Sequence, residues 1–159
     1  MRTTPLSLLL LVTSLVLPAV GCSDGGGDEE ALLENLRLRI AETAARDELD
    51  VDRVKVRHVL VSFIGALRAD DATRTFAEAE KHAAKLLARI DSGADFSALM
   101  ERHSSDPGPG EYEMTRADRE GMATSFWRTA WRLRVGEVSV AGYDEKDSPF
   151  GWHIMQRVE

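Results

Sequence analysis

Val54-Lys55-Val56-Arg57-His58-Val59-Leu60-Val61-Ser62-Phe63 decides how the rest of this chain is read. Its β-branched content favours an extended strand running to about Ile64. Apolar and polar residues alternate at first, and the stretch then becomes almost wholly apolar, the pattern of a central strand buried on both faces. Such a strand needs other strands beside it and helices above it, so the flanking sequence must supply both.

Downstream, Gly65 to Arg74 reads as a polar loop, and Thr75-Phe76-Ala77-Glu78 is a capping box opening a long helix. Phe76, Ala79, Ala83, Leu86, Leu87 and Ile90 form its inward stripe, and Gly93 ends it. Asp95 caps a shorter helix in which Phe96, Leu99, Met100 and His103 line up. Ser104 to Gly110 is a turn-dense loop with two prolines and two glycines. A third helix is expected from about Met122 to Leu133, with Met122, Phe126, Ala130 and Leu133 on one side, stopped by Gly136. Val138–Val140 and Trp152–Val158 are short closing strands. Upstream, Glu30 to Arg46 has helical periodicity, with Leu33, Leu36, Ile40 and Ala44 on one face. That face packs either on the following domain, which the pattern favours, or on a partner. The whole reads as an α+β fold: a small antiparallel-type sheet covered by about three helices and preceded by one N-terminal helix.

The first residues are of a different kind. Arg2, the apolar run from Leu8 to Leu17 and the small residues Pro18-Ala19-Val20-Gly21 read as an export signal, too short for a membrane span with a stop-transfer flank. Ala19-Val20-Gly21-Cys22 resembles the bacterial lipobox, which implies acylation of Cys22 and cleavage before it. The expected organisation is a signal peptide over 1–21, a lipidated flexible tether over 22–30, an N-terminal helix and linker over 31–50, and a folded domain over 51–159. Ser23 after the cysteine resembles an outer-membrane sorting signal. The implied location is the cell envelope, with the protein lipid-anchored and facing the periplasm or exterior. Several acyl chains, at roughly 0.8 kcal/mol per buried methylene, would hold it there.

With 27 acids against 20 bases among 159 residues, the formal charge is −7. Removal of residues 1–21 takes away one base, Arg2, leaving 19 bases against 27 acids, or −8. Duplex nucleic acid, which demands a concentrated cationic face, is thereby disfavoured. Cys22 is the single cysteine, so disulfides, thiol catalysis and multi-cysteine zinc sites are excluded from the fold. No Walker loop, dinucleotide fingerprint, nucleophile elbow or HExxH helix occurs. Of the four histidines, His82 sits in a charged helix and reads as solvated, and His103 as packing. His58 and His153 differ, since each lies among apolar residues in a predicted strand. Adjacent strands would bring their rings within reach of each other.

Five phrases in order then resemble the parvulin family of peptidyl-prolyl cis-trans isomerases, from about Val54 to Glu159. They are Arg57-His58-Val59-Leu60-Val61, Gly93-Ala94-Asp95-Phe96-Ser97-Ala98-Leu99, His103-Ser104-Ser105-Asp106-Pro107-Gly108, the run from Gly121-Met122 through Phe126 to Leu133–Ser139, and Phe150-Gly151-Trp152-His153-Ile154-Met155. The resemblance implies a parvulin-like fold and rotation of X–Pro amides in exported or unfolded polypeptides, with no cofactor and no metal. It implies His58, Asp106 and His153 as catalytic residues. Met122 and Phe126 would form the proline pocket, Met114 would complete it, and Ser148 would join the histidine network. A parvulin-fold chaperone or peptide-binding lipoprotein without strong catalysis is the alternative. The loop after the first strand has one arginine, Arg68, against Asp70 and Asp71, which argues against phosphorylated substrates. The family's Gly-Gly-Asp-Leu-Gly phrase is replaced by Gly110-Glu111-Tyr112-Glu113-Met114-Thr115 and then Arg116 to Glu120, a change expected to reshape the pocket wall. Trp127 and Trp131 are expected in the core, with an exposed client-binding surface as the other reading.

Overall fold

The computed structural model describes residues 26–159, so the export signal, the lipobox and Cys22 lie outside the described residues. The elements are α1 (Gly26–Ala44), β1 (Arg53–Val61), α2 (Phe76–Asp91), α3 (Phe96–His103), β2 (Glu111–Thr115), a 3-10 turn (Arg116–Gly121), α4 (Thr124–Arg132), β3 (Val138–Ala141) and β4 (Trp152–Arg157). Four antiparallel strands lie in the order β2-β1-β4-β3, which puts β1 at the centre beside the last strand of the chain. The α+β reading holds, with one strand more than the sequence suggested.

Local chemistry sets the helix ends. Thr75 Oγ1 accepts from the Glu78 backbone N–H while Glu78 accepts from the Thr75 N–H, so two orphan donors at the start of α2 are satisfied reciprocally. Asp95 accepts from the Ala98 N–H at the start of α3 at 2.6 Å.

Because side chains alternate along a strand, the two faces of the sheet receive different residues. One face presents Val59, Val61, Val140, Trp152 and Ile154 to α2 and α3, where Ala79, Ala83, Leu86, Leu87, Phe96 and Leu99 close a dry core. The other presents Val54, Val56, Met114, Ala141 and Met155 to α4, through Phe126, Trp127, Ala130 and Trp131. Trp127 and Trp131 are fully buried with rings stacked at 4.2 Å, which settles them as core. Arg116 covers both rings, at 5.5 and 5.3 Å, and donates to the Leu49 carbonyl and to Glu48, tying the 3-10 turn to the segment before β1.

The N-terminal helix packs on its own domain. Leu33 and Leu36 join the α2 core, Thr43 hydrogen-bonds Ser139 at 2.6 Å, and Arg37 and Arg39 pair with Glu80 and Asp91. Two expectations for this helix are corrected. The helix begins at Gly26 rather than Glu30, because acidic Asp28 and Glu29 suit the positive end of the helix dipole and Glu29 bridges Lys81 and Lys85 of α2. Its buried stripe ends on Thr43, with Ala44 exposed, since 36, 40 and 43 follow the helical turn on the side that meets β3. The third predicted helix is also shorter, starting at Thr124 rather than Met122.

Candidate active site

The site grows out of the register between β1 and β4. Leu60 faces His153 and His58 faces Met155, so the two histidines sit diagonally on one face of neighbouring strands. Their Nδ1 atoms are 3.1 Å apart, with the rings nearly parallel at a 17° interplanar angle. Gly151 allows the approach: its φ is +133°, and a side-chain carbon there would run into the Val61 carbonyl.

Asp106, on the loop after α3, completes the group. Its Oδ2 lies 2.9 Å from His58 Nε2, and Oδ2 also accepts the Tyr112 hydroxyl at 2.8 Å. Oδ1 accepts the Gly108 backbone N–H at 3.1 Å. The hydrogen bond from His58, opposed by burial and helped by Tyr112 and Gly108, holds the carboxyl down at about 2, so Asp106 is ionised at neutral pH. An ionised carboxylate only accepts, so His58 Nε2 carries a proton. Across the 3.1 Å contact between the two rings, one Nδ1 donates and the other accepts, according to the tautomers. Burial, then the neighbouring His58, push His153 down to about 3, which keeps it neutral. Its Nε2 is buried and has no hydrogen-bond partner among the described residues. Burial, then the bond to Asp106, raise Tyr112 to about 12.

Above this network opens a cleft of about 260 Å³ whose wall includes Met122, Phe126, Tyr112, Leu67, Phe150 and Pro107. Phe126 stands edge-on to both histidines, 5.1 Å from each ring centre. Arg68, with a φ of 58°, is the one cationic side chain other than histidine among the described residues lining it. Among the described residues no group of three or more His, Cys, Asp or Glu side chains is arranged to hold a metal ion.

Of the residues singled out from sequence, His58, Asp106, His153, Met122 and Phe126 come together in this cleft. Met114 does not line it. Its side chain is 1% exposed and packs behind, among Val54, Val56 and Trp127, because pleating turns 114 and 112 of β2 to the same side while only Tyr112 reaches the cleft. Ser148 is wholly buried, and its hydroxyl donates to the Gly151 carbonyl at 3.4 Å rather than to a histidine. His82 is half-buried, not solvated: its Nε2 has no partner among the described residues, its ring meets His103 at 5.2 Å, and burial lowers it to about 4. Tyr112 is the residue that sequence reasoning missed. The available signal was the strict alternation Glu111-Tyr112-Glu113-Met114, a strand pattern facing one side.

This fold and cleft define a class that comparison with known proteins identifies. The model of the PPIC-type PPIase domain matches residues 38–159, and the chain belongs to that family. Chaperone SurA of Pseudomonas aeruginosa is 33% identical over 121 residues, covering 75% of this chain and 26% of SurA. Foldase protein PrsA of Geobacillus kaustophilus is 28% identical over 131 residues, covering 80% of this chain and 44% of PrsA. The chain thus spans less than half the length of these relatives. Peptidyl-prolyl isomerase ESS1 from Candida albicans shares the fold with a TM-score of 0.58 at 22% identity, covering 82% of this chain and 76% of that one.

Proposed function

We propose that this chain is a peptidyl-prolyl cis-trans isomerase acting on X–Pro bonds of exported or unfolded polypeptides, without a covalent intermediate or cofactor. The observation that carries the proposal is the apolar cleft of Met122 and Phe126 set directly over the His58–His153–Asp106 network.

The reaction must overcome an amide barrier of about 18–20 kcal/mol that arises from C–N resonance. Resonance places negative charge on the carbonyl oxygen and positive charge on nitrogen, and water stabilises that separation. A proline ring held against Met122 and Phe126 loses this water, which favours the twisted and less polar transition state. Asp106 adds a fixed negative charge at the cleft floor. Beside the rotating carbonyl it penalises the planar form, whose oxygen is more negative, above the twisted one. His58 holds the carboxylate, and together with neutral His153 it forms the rest of the floor.

In this reading Cys22 is acylated after removal of residues 1–21, and the domain works in the cell envelope against a membrane. Arg68 beside Asp70 and Asp71 gives no cationic cluster, so unphosphorylated peptides are the substrates. The names of the curated relatives, a chaperone and a foldase, fit extended polypeptides as clients and also fit the alternative of a binding module that grips without turning over.

The test is proline-limited refolding of a substrate protein with the full chain in detergent. The slow phase of tens to hundreds of seconds should shorten in proportion to chain concentration. Binding of the unfolded substrate with no change in that phase overturns the isomerase and leaves the binding module. Mass spectrometry of the membrane-extracted protein should show an acylated Cys22 at the N-terminus, and Cys22→Ser should abolish that product.

A further inference from the structure

Tyr112 is tied into the site from three directions. Its pairing with Val56 in the β1–β2 register points the side chain at the cleft. Its ring edge meets His58 at 5.4 Å and Phe126 at 5.9 Å. Its hydroxyl donates to Asp106 Oδ2, the same oxygen that takes the His58 N–H. The loop is shaped around that bond: a side-chain carbon at Gly108 would collide with the Tyr112 phenol oxygen and crowd both carboxylate oxygens at 3.2 and 3.3 Å. With both donors on Oδ2 and the Gly108 N–H on Oδ1, the carboxylate cannot rotate without losing a charge-assisted hydrogen bond.

Resting on the isomerase reading above, we propose that Tyr112 is a positioning residue for Asp106, fixing the orientation and charge of the carboxylate at the floor of the cleft. The other titratable and charged groups facing Asp106 are His58 from β1, His153 from β4 and Arg68 from the loop after β1; the 121–126 segment opposite brings none. Tyr112 stays protonated throughout the physiological range, since its own ionisation is pushed up to about 12. The carboxylate therefore keeps its second donor at every working pH. Removing the hydroxyl frees Oδ2 to swing and raises the Asp106 pKa, because one of the bonds stabilising the charged form is lost.

The test is Tyr112→Phe in the full chain, which keeps the ring and its packing. Proline-limited refolding catalysis should fall about tenfold, as loss of a hydrogen bond to a charged group predicts. The Asp106 carboxyl, followed by carbon NMR, should titrate at higher pH than in the unaltered chain. In an Asp106→Asn background, Tyr112→Phe should cost no further rate, since the two changes act through one group. Gly108→Ala, which pushes phenol and carboxylate apart without altering either, should move the Asp106 titration the same way. An unchanged titration in both variants, or an equal rate loss in the Asp106→Asn background, overturns the proposal. The titration needs no turnover, so an unaltered chain lacking rotamase activity would overturn the isomerase reading and not this pairing.

Discussion

The two faces of the sheet are built from the same strands yet follow opposite rules. Toward α2 and α3, the face carries Val59, Val61, Val140, Trp152 and Ile154, all apolar and all buried under an apolar helix stripe. On the reverse, β1 and β4 offer Val54, Val56 and Met155 to α4, but in line with them stand His58 and His153, 3% and 5% exposed. A one-residue shift along either strand separates a core position from a site position. The first face is free to maximise burial. The second also buries ionisable side chains, and among the described residues His153 Nε2, like Trp127 and Trp131 Nε1 on the same side, has no hydrogen-bond partner. Fold stability and site chemistry are thus carried by alternate residues of one strand, which makes them separable by mutation.

The sharpest way to break this comparison is Leu87→Ala on the dry face. Leu87 is fully buried between α2 and the sheet, so its truncation should cost about 2–5 kcal/mol in urea denaturation. Rotamase activity per folded molecule should be unchanged, because nothing in the cleft moves. If activity per folded molecule dropped with stability, the two faces would be coupled and the division wrong. Phe126→Ala probes the other side. It strips the edge from both histidines and opens the pocket wall, and should lower catalysis at least about 30-fold, a change of roughly 2 kcal/mol in barrier. Substrate refolding rates, normalised to the folded fraction from circular dichroism, measure this directly.

The same division explains which parts of the molecule could be read from sequence. The dry face could be, since its signals are local: the alternation in Val54–Phe63, the Thr75–Glu78 box and the Asp95 cap each lie within a few residues. The pairing of His58 with His153 was inferred from matching apolar surroundings, and the motif resemblance added Asp106. Tyr112 went unassigned and Met114 was placed in the pocket because alternation gives the side each faces, whereas which of them reaches the cleft depends on register with Val56 and Val54 across the sheet. Charged Glu111 and Glu113 further masked β2, whose outward side pairs with Arg53 and Lys55 instead of a core. Ser148 shows the same limit in the opposite sense. The family resemblance implied a place in the histidine network, but the tight turn directs its hydroxyl to the Gly151 carbonyl.

His153→Leu gives the smallest effect and the finest discrimination. At neutral pH it removes the buried imidazole, whose Nε2 has no partner among the described residues, but strips His58 Nδ1 of its hydrogen-bond partner, so stability should change by no more than about 1 kcal/mol. Its signature lies in pH dependence. His153 in the folded chain is pushed down to about 3 from an ordinary 6.5, so below pH 6.5 the unfolded chain takes up a proton that the folded chain refuses. Stability therefore falls as pH drops from 6.5 toward 3 and gains no further slope from this group below that. His82, held at about 4, and His103, also lowered, act with the same sign. Asp106 adds its own loss only from about pH 4 downward, as its depressed carboxyl protonates near 2. Urea midpoints measured from pH 7 to 4 should consequently decline less steeply in His153→Leu than in the unaltered chain. Leu87→Ala should lower the whole curve without changing its shape, since no proton is bound or released at that position. Parallel curves for His153→Leu and the unaltered chain would mean that the imidazole is solvated or charged in the folded state, and the contrast between a dry face and a face that buries a neutral histidine would fail at its centre.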